Sequence, residues 1–369
     1  MSTPLLPRYG ASALSDLVPS IGAHLGLDGL SDVVGLPAAD RYVLLLVDGL
    51  GEGLLADAAA HAPHLSAARA GTLTSVTPST TATALSSLGT GLTPGEHGMA
   101  GFSFRHPFAN RVLNALAWER GLSGLDVQPR YTALERIARD GVVVTTALPA
   151  RFADTGLTQA ALRGGRFAGV TDESDTHGRI EQIVEAASAG PRTLVYAYER
   201  ALDHTAHREG WGSLETRAVL EEVDAFAARL RADLPDDVRL VVTGDHGGID
   251  VDPSDRLVIE DEPDLHADLT LVGGEGRFRQ LYTPDPAAVA SRWRDRLGER
   301  AWVRTRDEAT DEGWFGPLAA GLAPRFGDVV VAMRGTGAVL TRTFPGEFRL
   351  VGMHGSLTPD EMLVPLITE

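Results

Sequence analysis

Three aspartates and three histidines stand at four separated places where apolar runs of the chain end: Asp48, the pair Asp203 and His207, the pair Asp245 and His246, and His354. Carboxylate oxygens and imidazole nitrogens in that number are a donor set for two divalent metal ions. Asp203 and His207 are four residues apart, so on a helix they share one face and can converge on a single ion, with His204 as a competitor for the role. Asp245-His246 is followed by Gly247-Gly248, which leave room for close backbone approach. Asp48-Gly49 taken alone reads equally well as turn chemistry, and His354 says nothing by itself. Their co-occurrence favours a metal site. Between the first two groups, Pro78-Ser79-Thr80-Thr81 leads directly into a helical pattern and can supply a hydroxyl nucleophile to such ions.

These residues need elements that bring them to one edge. Tyr42 to Val47 is a continuous apolar run of strand length, followed by a tight turn and then Leu54, Leu55 and Ala58 at helical spacing. The same grammar recurs at Val142 to Thr146, Thr193 to Tyr198 and Val238 to Thr243. Between them, Ile180, Ile183, Val184 and Ala187 form one helical stripe; Val219, Val223, Phe226, Leu230 and Leu234 form another, closed by Pro235. Alternation of this kind predicts an α/β fold, a mainly parallel sheet sandwiched by helices, whose ligands gather beyond the carboxyl ends of the strands. Asp48, Asp203 and Asp245 all fall there. Residues 250 to 345 break the rhythm and read as a small α/β insertion within one domain spanning 1 to 369. Its short strands are expected near Leu269, Phe278 and Val303 and its helix over Ala287 to Leu297. Val329 to Met333 and Phe348 to Val351 are then expected to rejoin the main sheet.

Composition narrows the partners. The 369 residues carry a formal charge of -17, and all 33 basic residues are Arg. Such a chain is a poor polyanion binder, so a nucleic-acid polymer is not expected as a partner unless metals create a local positive site. Zero Cys removes thiolate metal sites, disulfides and cysteine nucleophiles. The opening MSTPLLPRYG has neither a basic nor an apolar signal region, and no run reaches the roughly 18 apolar residues of a membrane span. The expectation is a cytoplasmic protein that does not enter a membrane. Oligomeric state is silent in the sequence.

In order and spacing, VDGLG at 47–51, TPSTTATALSSLGTGLTPGEHGMAG at 77–101, DHTAH at 203–207, TGDHGG at 243–248 and MHG at 353–355 resemble the alkaline phosphatase superfamily. The resemblance is to its nucleotide pyrophosphatase/phosphodiesterase branch, the type I phosphodiesterases, and spans about residues 41 to 357. It implies an alkaline phosphatase-like fold with two Zn²⁺ per chain. The expected activity is hydrolysis of phosphodiester or pyrophosphate bonds, in nucleotide-type or aryl diesters, through a covalent phospho-threonine. One zinc then falls to Asp203, His207 and His354, the other to Asp48, Asp245, His246 and the nucleophile. Alignment from TGLTPGEHG places that nucleophile at Thr81, with Thr80 one residue off as the alternative.

The chain departs from the branch after His97-Gly98. An Asn that steadies the transferred group is usual there, and this sequence has Phe102. Asn114 or Arg105 would have to substitute, while Phe102 offers an apolar surface for an aryl or nucleobase group. The expected partner is a small phosphoester. A phosphomonoesterase, phosphonate hydrolase or phosphomutase of the same superfamily would keep the same ligands. A non-catalytic zinc-binding interaction protein would have no use for Thr81.

Overall fold

The computed structural model describes residues 3–369. Its centre is a seven-stranded sheet in the order Arg69–Thr74, Leu363–Thr368, Val238–Gly244, Arg41–Val47, Thr193–Glu199, Val143–Pro149 and Arg166–Val170. The last five run parallel; Leu363–Thr368 is antiparallel to both of its neighbours. Side chains alternate across a strand, and the continuous apolar run at 42–47 is explained by burial on both faces. Tyr42, Leu44 and Leu46 pack with Leu14, Leu17, Ile21, Leu88 and Ile137 on one side. Val43, Leu45 and Val47 pack with Ile183, Leu220, Val223, Phe226 and Leu230 on the other. The two amphipathic stripes become the helices Thr176–Ala187 and Leu214–Asp233.

A second sheet, antiparallel throughout, has the order Leu271–Glu275, Phe278–Tyr282, Val329–Met333 and Ala301–Thr305, with the helix Pro286–Leu297 beside it. Two expectations are corrected here. Val329–Met333 belongs to this second sheet and not the main one, its alternate side chains buried against two different clusters, Val330 and Ala332 on one face and Val329, Val331 and Met333 on the other. A fully apolar run specifies burial on both faces but does not choose the sheet. Phe348 to Val351 forms no sheet strand: Pro345–Arg349 is a 3₁₀ turn, and the strand that re-enters the main sheet is Leu363–Thr368.

The two sheets are joined through a buried ion pair. The Arg277 guanidinium reaches Glu361 at 2.7 Å, both side chains fully inaccessible, and Glu361 also accepts from the Ser356 N–H at 3.0 Å and the Thr358 hydroxyl at 2.6 Å. Charges taken this far from water need every lone pair satisfied. This network fixes the segment carrying His354 against the second sheet. A hairpin of Ser103–Arg105 and Val112–Asn114 lies beside it, with the Ser103 hydroxyl donating to the Gly274 carbonyl at 2.8 Å.

Candidate metal centre

Sheet register brings the aspartates together. Val47 pairs with Glu199 on one side and with Gly244 on the other, so the strand ends are level and the next residues, Asp48 and Asp245, emerge at one height. Asp203 lies in the first turn of the helix Ala201–Glu209, which follows the strand Thr193–Glu199, and its N–H donates to the Asp48 carbonyl at 3.2 Å. Gly49 and Gly248 make the close approach possible. A Cβ on Gly49 would sit 2.7 Å from the Trp211 ring, at a φ of +79, and one on Gly248 would sit 2.2 Å from the same ring.

Each histidine is oriented by a backbone carbonyl. The Nδ1–H of His207 donates to Gly352 at 2.8 Å, that of His246 to Gly247 at 2.9 Å, and that of His354 to Ser79 at 2.9 Å. Every Nε2 is thereby left as an acceptor aimed at the carboxylates, which is how metal-binding imidazoles are held. The His246 Nε2 is 3.5 Å from both Asp48 and Asp245; the His207 Nε2 is 3.3 Å from Asp203; the His354 Nε2 is 3.9 Å from Asp203. His246 and His354 are stacked with ring centroids 3.6 Å apart.

The donor set suits cations. Asp203 Oδ1 and Asp245 Oδ2 are buried without a hydrogen-bond partner, a costly arrangement for carboxylates unless cations lie against them. Burial, together with Asp245 and Asp203 facing it, pushes the Asp48 carboxyl well above the usual carboxylate range. Positive charge would relieve that repulsion. Burial, followed by the neighbouring His246 and His207, holds His354 well below the usual imidazole range, in the neutral form that a metal ligand requires.

Two compact triads lie within reach of one ion each, Asp203 with His246 and His354, and Asp48 with Asp245 and His246. Both use the single free nitrogen of His246, which can serve only one ion. His207, bonded to Asp203, is the imidazole at hand for the other.

Thr81 is the first residue of the helix Thr81–Thr90, and its hydroxyl lies 3.2 Å from His246 Nε2 and 3.4 Å from Asp48 Oδ1. Thr80 lines the same cavity, but its hydroxyl donates to Glu275 at 2.9 Å. His204 is exposed and also lines the cavity, but it belongs to neither triad. Phe102 and Asn114 line the same 680 Å³ cavity as Asp48, Thr81, Asp203, His207 and His354. Arg105 does not. It lines a separate 470 Å³ cavity with His106 and Arg325, and its guanidinium lies 4.5 Å from the centroid of the Tyr282 ring. Arg105 is the last residue of its strand, paired with Val112, whereas Asn114 is paired with Ser103 at the other end of the hairpin, next to Phe102.

Two residues at the site went unread in the sequence. Tyr198, at the end of its strand, donates its hydroxyl to Asp48 and is held far above its ordinary range by burial and by that carboxylate. Glu275, from the second sheet, lies in the cavity with its Oε1 unpartnered, and burial drives its carboxyl well above the usual range. An acidic residue flanked by glycines in Gly273-Gly274-Glu275-Gly276 was the one available signal.

The fold has counterparts among known proteins. Murine ectonucleotide pyrophosphatase/phosphodiesterase 5 superposes with a TM-score of 0.68 at 17% identity, over 88% of this chain and 87% of that one. The human protein of the same name gives 0.68 at 15%, over 89% and 87%. Phosphonoacetate hydrolase from Sinorhizobium meliloti 1021, in complex with phosphonoformate, gives 0.65 at 19%, over 90% and 91%. At such identities the likeness establishes the α/β fold. No curated protein matches the chain in sequence. Among the described residues no helix is long and apolar enough to cross a membrane. The family model of type I phosphodiesterase / nucleotide pyrophosphatase matches residues 42–357, and the chain belongs to that family of phosphoester hydrolases.

Proposed function

We propose that this protein hydrolyses phosphodiester or pyrophosphate bonds by attack of the Thr81 hydroxyl on phosphorus, giving a covalent phospho-threonine that water then cleaves. The observation that carries the reading is the position of Thr81, half-buried at the cavity and within 3.4 Å of Asp48 and 3.2 Å of His246. Asp203, His207 and His354 would hold one zinc ion and Asp48, Asp245, His246 and Thr81 the other. Bound there, two divalent cations supply Lewis acidity, lowering the pKa of the attacking oxygen and neutralising phosphoryl oxygens.

The protein's own groups do the rest. Thr81 begins a helix that no side chain caps, so first-turn N–H groups and the helix dipole are available to a phosphoryl oxygen. Tyr198 donates to Asp48 and fixes its orientation. The Nδ1–H bonds of the three histidines keep each Nε2 directed inward. Attack forms the Thr81 Oγ–P bond, releases the hydroxyl proton to solvent and breaks the bond from phosphorus to the departing oxygen, which takes up a proton from solvent. Water attack then forms a new P–O bond, breaks the Thr81 Oγ–P bond and returns the hydroxyl.

A monoester dianion would need a further cation near Thr81. Arg105 lines the other cavity, and Arg200, which does line this one, is bonded to Glu173 at 2.9 Å. A diester monoanion has no such need. The test is kcat/KM on zinc-loaded protein for bis(4-nitrophenyl) phosphate, 4-nitrophenyl phosphate and phosphonoacetate. The diester is expected to lead by about tenfold or more. Preference for the monoester or the phosphonate would reassign the chain to another activity of the superfamily.

A further inference from the structure

Away from the six ligands the 680 Å³ cavity turns apolar, and its lining distinguishes among the esters that the phosphodiesterase reading, on which this inference rests, would admit. One wall belongs to the main sheet and its helices: Leu85 follows Thr81 by one helical turn, Leu148 lies near the end of Val143–Pro149, and Leu157 and Leu162 come from the helix Gly156–Ala161 and the residue that ends it. Phe152 joins them, its ring 6.5 Å from that of Tyr198.

The facing wall is built from remote segments. Phe102 and Leu116 flank the hairpin, and Leu116 remains 56% exposed, an apolar side chain at the mouth of an apolar cavity. Phe344 completes this side. It is held by Arg279, whose guanidinium lies 5.7 Å from the ring centroid and is itself ion-paired with Glu347.

Several polar groups in these walls are already engaged. The Asn114 side-chain oxygen accepts the N–H groups of Leu116 and Ala117 at 2.8 and 3.1 Å. The Thr155 and Thr158 hydroxyls bond to each other at 3.0 Å. Arg200 is tied to Glu173, and the remaining ionisable side chains beyond the metal ligands include the carboxyl groups Glu275 and Glu347. A nucleobase edge would meet few polar side chains, chiefly Asn114, His204 and Thr343, set in a mostly apolar lining, and a second phosphate would find Arg200 already paired with Glu173 and the carboxyl groups of Glu275 and Glu347 nearby.

We infer that this cavity receives the ester arm of a phosphodiester whose arm is uncharged and apolar, an alkyl or aryl group, in preference to a nucleoside or a second phosphate. Transfer of methylenes from water into such a lining favours binding by roughly fourfold each when burial is complete. Arm length should therefore be read directly in affinity.

Two measurements on the zinc-loaded wild-type protein test this. Titration calorimetry compares methyl hexylphosphonate with methyl methylphosphonate, which share methoxide as the one, poor, leaving group. Turnover compares the 4-nitrophenyl diesters of hexanol, methanol and thymidine (through its 5′ oxygen), which share one leaving group and differ only in the arm. The hexyl compound is expected to bind at least about tenfold more tightly, with a more negative heat-capacity change, and the hexyl diester to exceed both others in kcat/KM by a similar factor. Leu157→Asn should draw the hexyl-to-methyl ratio toward one in both assays, the ratio itself guarding against a general loss of folded protein. Equal binding of the two phosphonates, or preference for the thymidine diester, overturns the apolar arm and leaves the diesterase reading standing. Hexyl preference in calorimetry with no diester turned over does the reverse.

Discussion

At the metal end of the cavity, Asp48, Asp203 and Asp245 all follow carboxyl ends of adjacent parallel strands, and each is fixed by backbone geometry within a few residues of its motif. At the apolar end, Leu85, Phe152, Phe102, Leu116 and Phe344 arrive from a helix, a 3₁₀ turn, a hairpin and a loop near the end of the chain. The first end is constrained by charge, since misplacing one carboxylate leaves a buried ion unpaired. The second is constrained only by shape and water exclusion, which many side chains satisfy. Chemistry therefore concentrates in short motifs, and choice of substrate disperses across the fold.

The largest expected effect is at Thr81. Thr81→Ala removes the attacking oxygen while the three aspartates and three histidines remain, so turnover should fall by about three orders of magnitude or more with metal content largely retained. Thr80→Ala loses a hydrogen bond to Glu275 and should keep activity within roughly tenfold. Parallel kinetics and elemental analysis of the two variants decide it. Exchanged phenotypes would move the nucleophile by one residue, and two active variants would leave water as the attacking group.

Removal of metal comes next. Chelation should abolish turnover and lower the melting temperature, because any ion bound only by the folded state stabilises it. Asp245→Asn takes one negative charge from a fully buried carboxylate whose Oδ2 has no partner. It is expected to cost about one zinc per chain and roughly a hundredfold or more in activity. A variant that retains two zinc ions and full rate would remove Asp245 from the ligand set.

A smaller effect concerns His97, at the start of the loop that leads to Phe102. Its ring is buried and neutral: Nδ1 accepts from the Met99 N–H at 3.0 Å, and Nε2 lies 2.8 Å from the Ser87 hydroxyl. Burial, followed by the charge of Arg325, pushes its pKa down to about 3. In the unfolded chain an imidazole takes a proton near pH 6.5. Stability from this group is therefore complete above that pH and is lost as pH falls toward 3, by about 1.4 kcal/mol per unit. His97→Gln should flatten the fall in unfolding free energy between pH 6.5 and 4.5 by about that slope. Identical slopes in the two chelated proteins would mean that His97 is protonated in the folded state.

How much was legible in the sequence follows the same division. The strands at 42–47, 193–198 and 238–243 could be read because a run buried on both faces is uniformly apolar, and the helical stripes because one face alone is buried. Leu363–Thr368 escaped notice because it is short, contains Pro365 and pairs antiparallel near the sheet edge, where hydrophobic pattern is weakest. Val329–Met333 was recognisable as buried but not as a member of the second sheet, since register with distant strands has no local signature. The aspartates and histidines stood out by type and spacing, and Thr81 through the resemblance to the type I phosphodiesterases. Tyr198 and Glu275 were not, for their roles exist only once Asp48 and Thr80 are brought to them by the tertiary fold.

Arg105 gives the smallest effect and the sharpest contrast between the two cavities. Three residues from Phe102 in sequence, it is the first basic residue after Thr81, and charge alone would recruit it to clamp a phosphoryl group. It stands at the far end of the hairpin strand, lining the other cavity, where its N–H donates to the Tyr282 hydroxyl at 2.8 Å and its guanidinium covers the Tyr282 ring. The backbone bond survives substitution; the ring contact does not. Arg105→Ala should therefore cost about 0.5–1 kcal/mol of stability from the lost cation–π contact, and leave the ratio of diester to monoester turnover within about twofold. Asn114→Ala lies on the other side of this divide. It alters the cavity that holds Thr81 and frees the N–H groups of Leu116 and Ala117, so KM for the diester should rise while Arg105→Ala leaves it alone. If instead the Arg105 variant is the one that shifts KM or the substrate ratio, the two cavities communicate through the hairpin and the separation drawn from their linings fails.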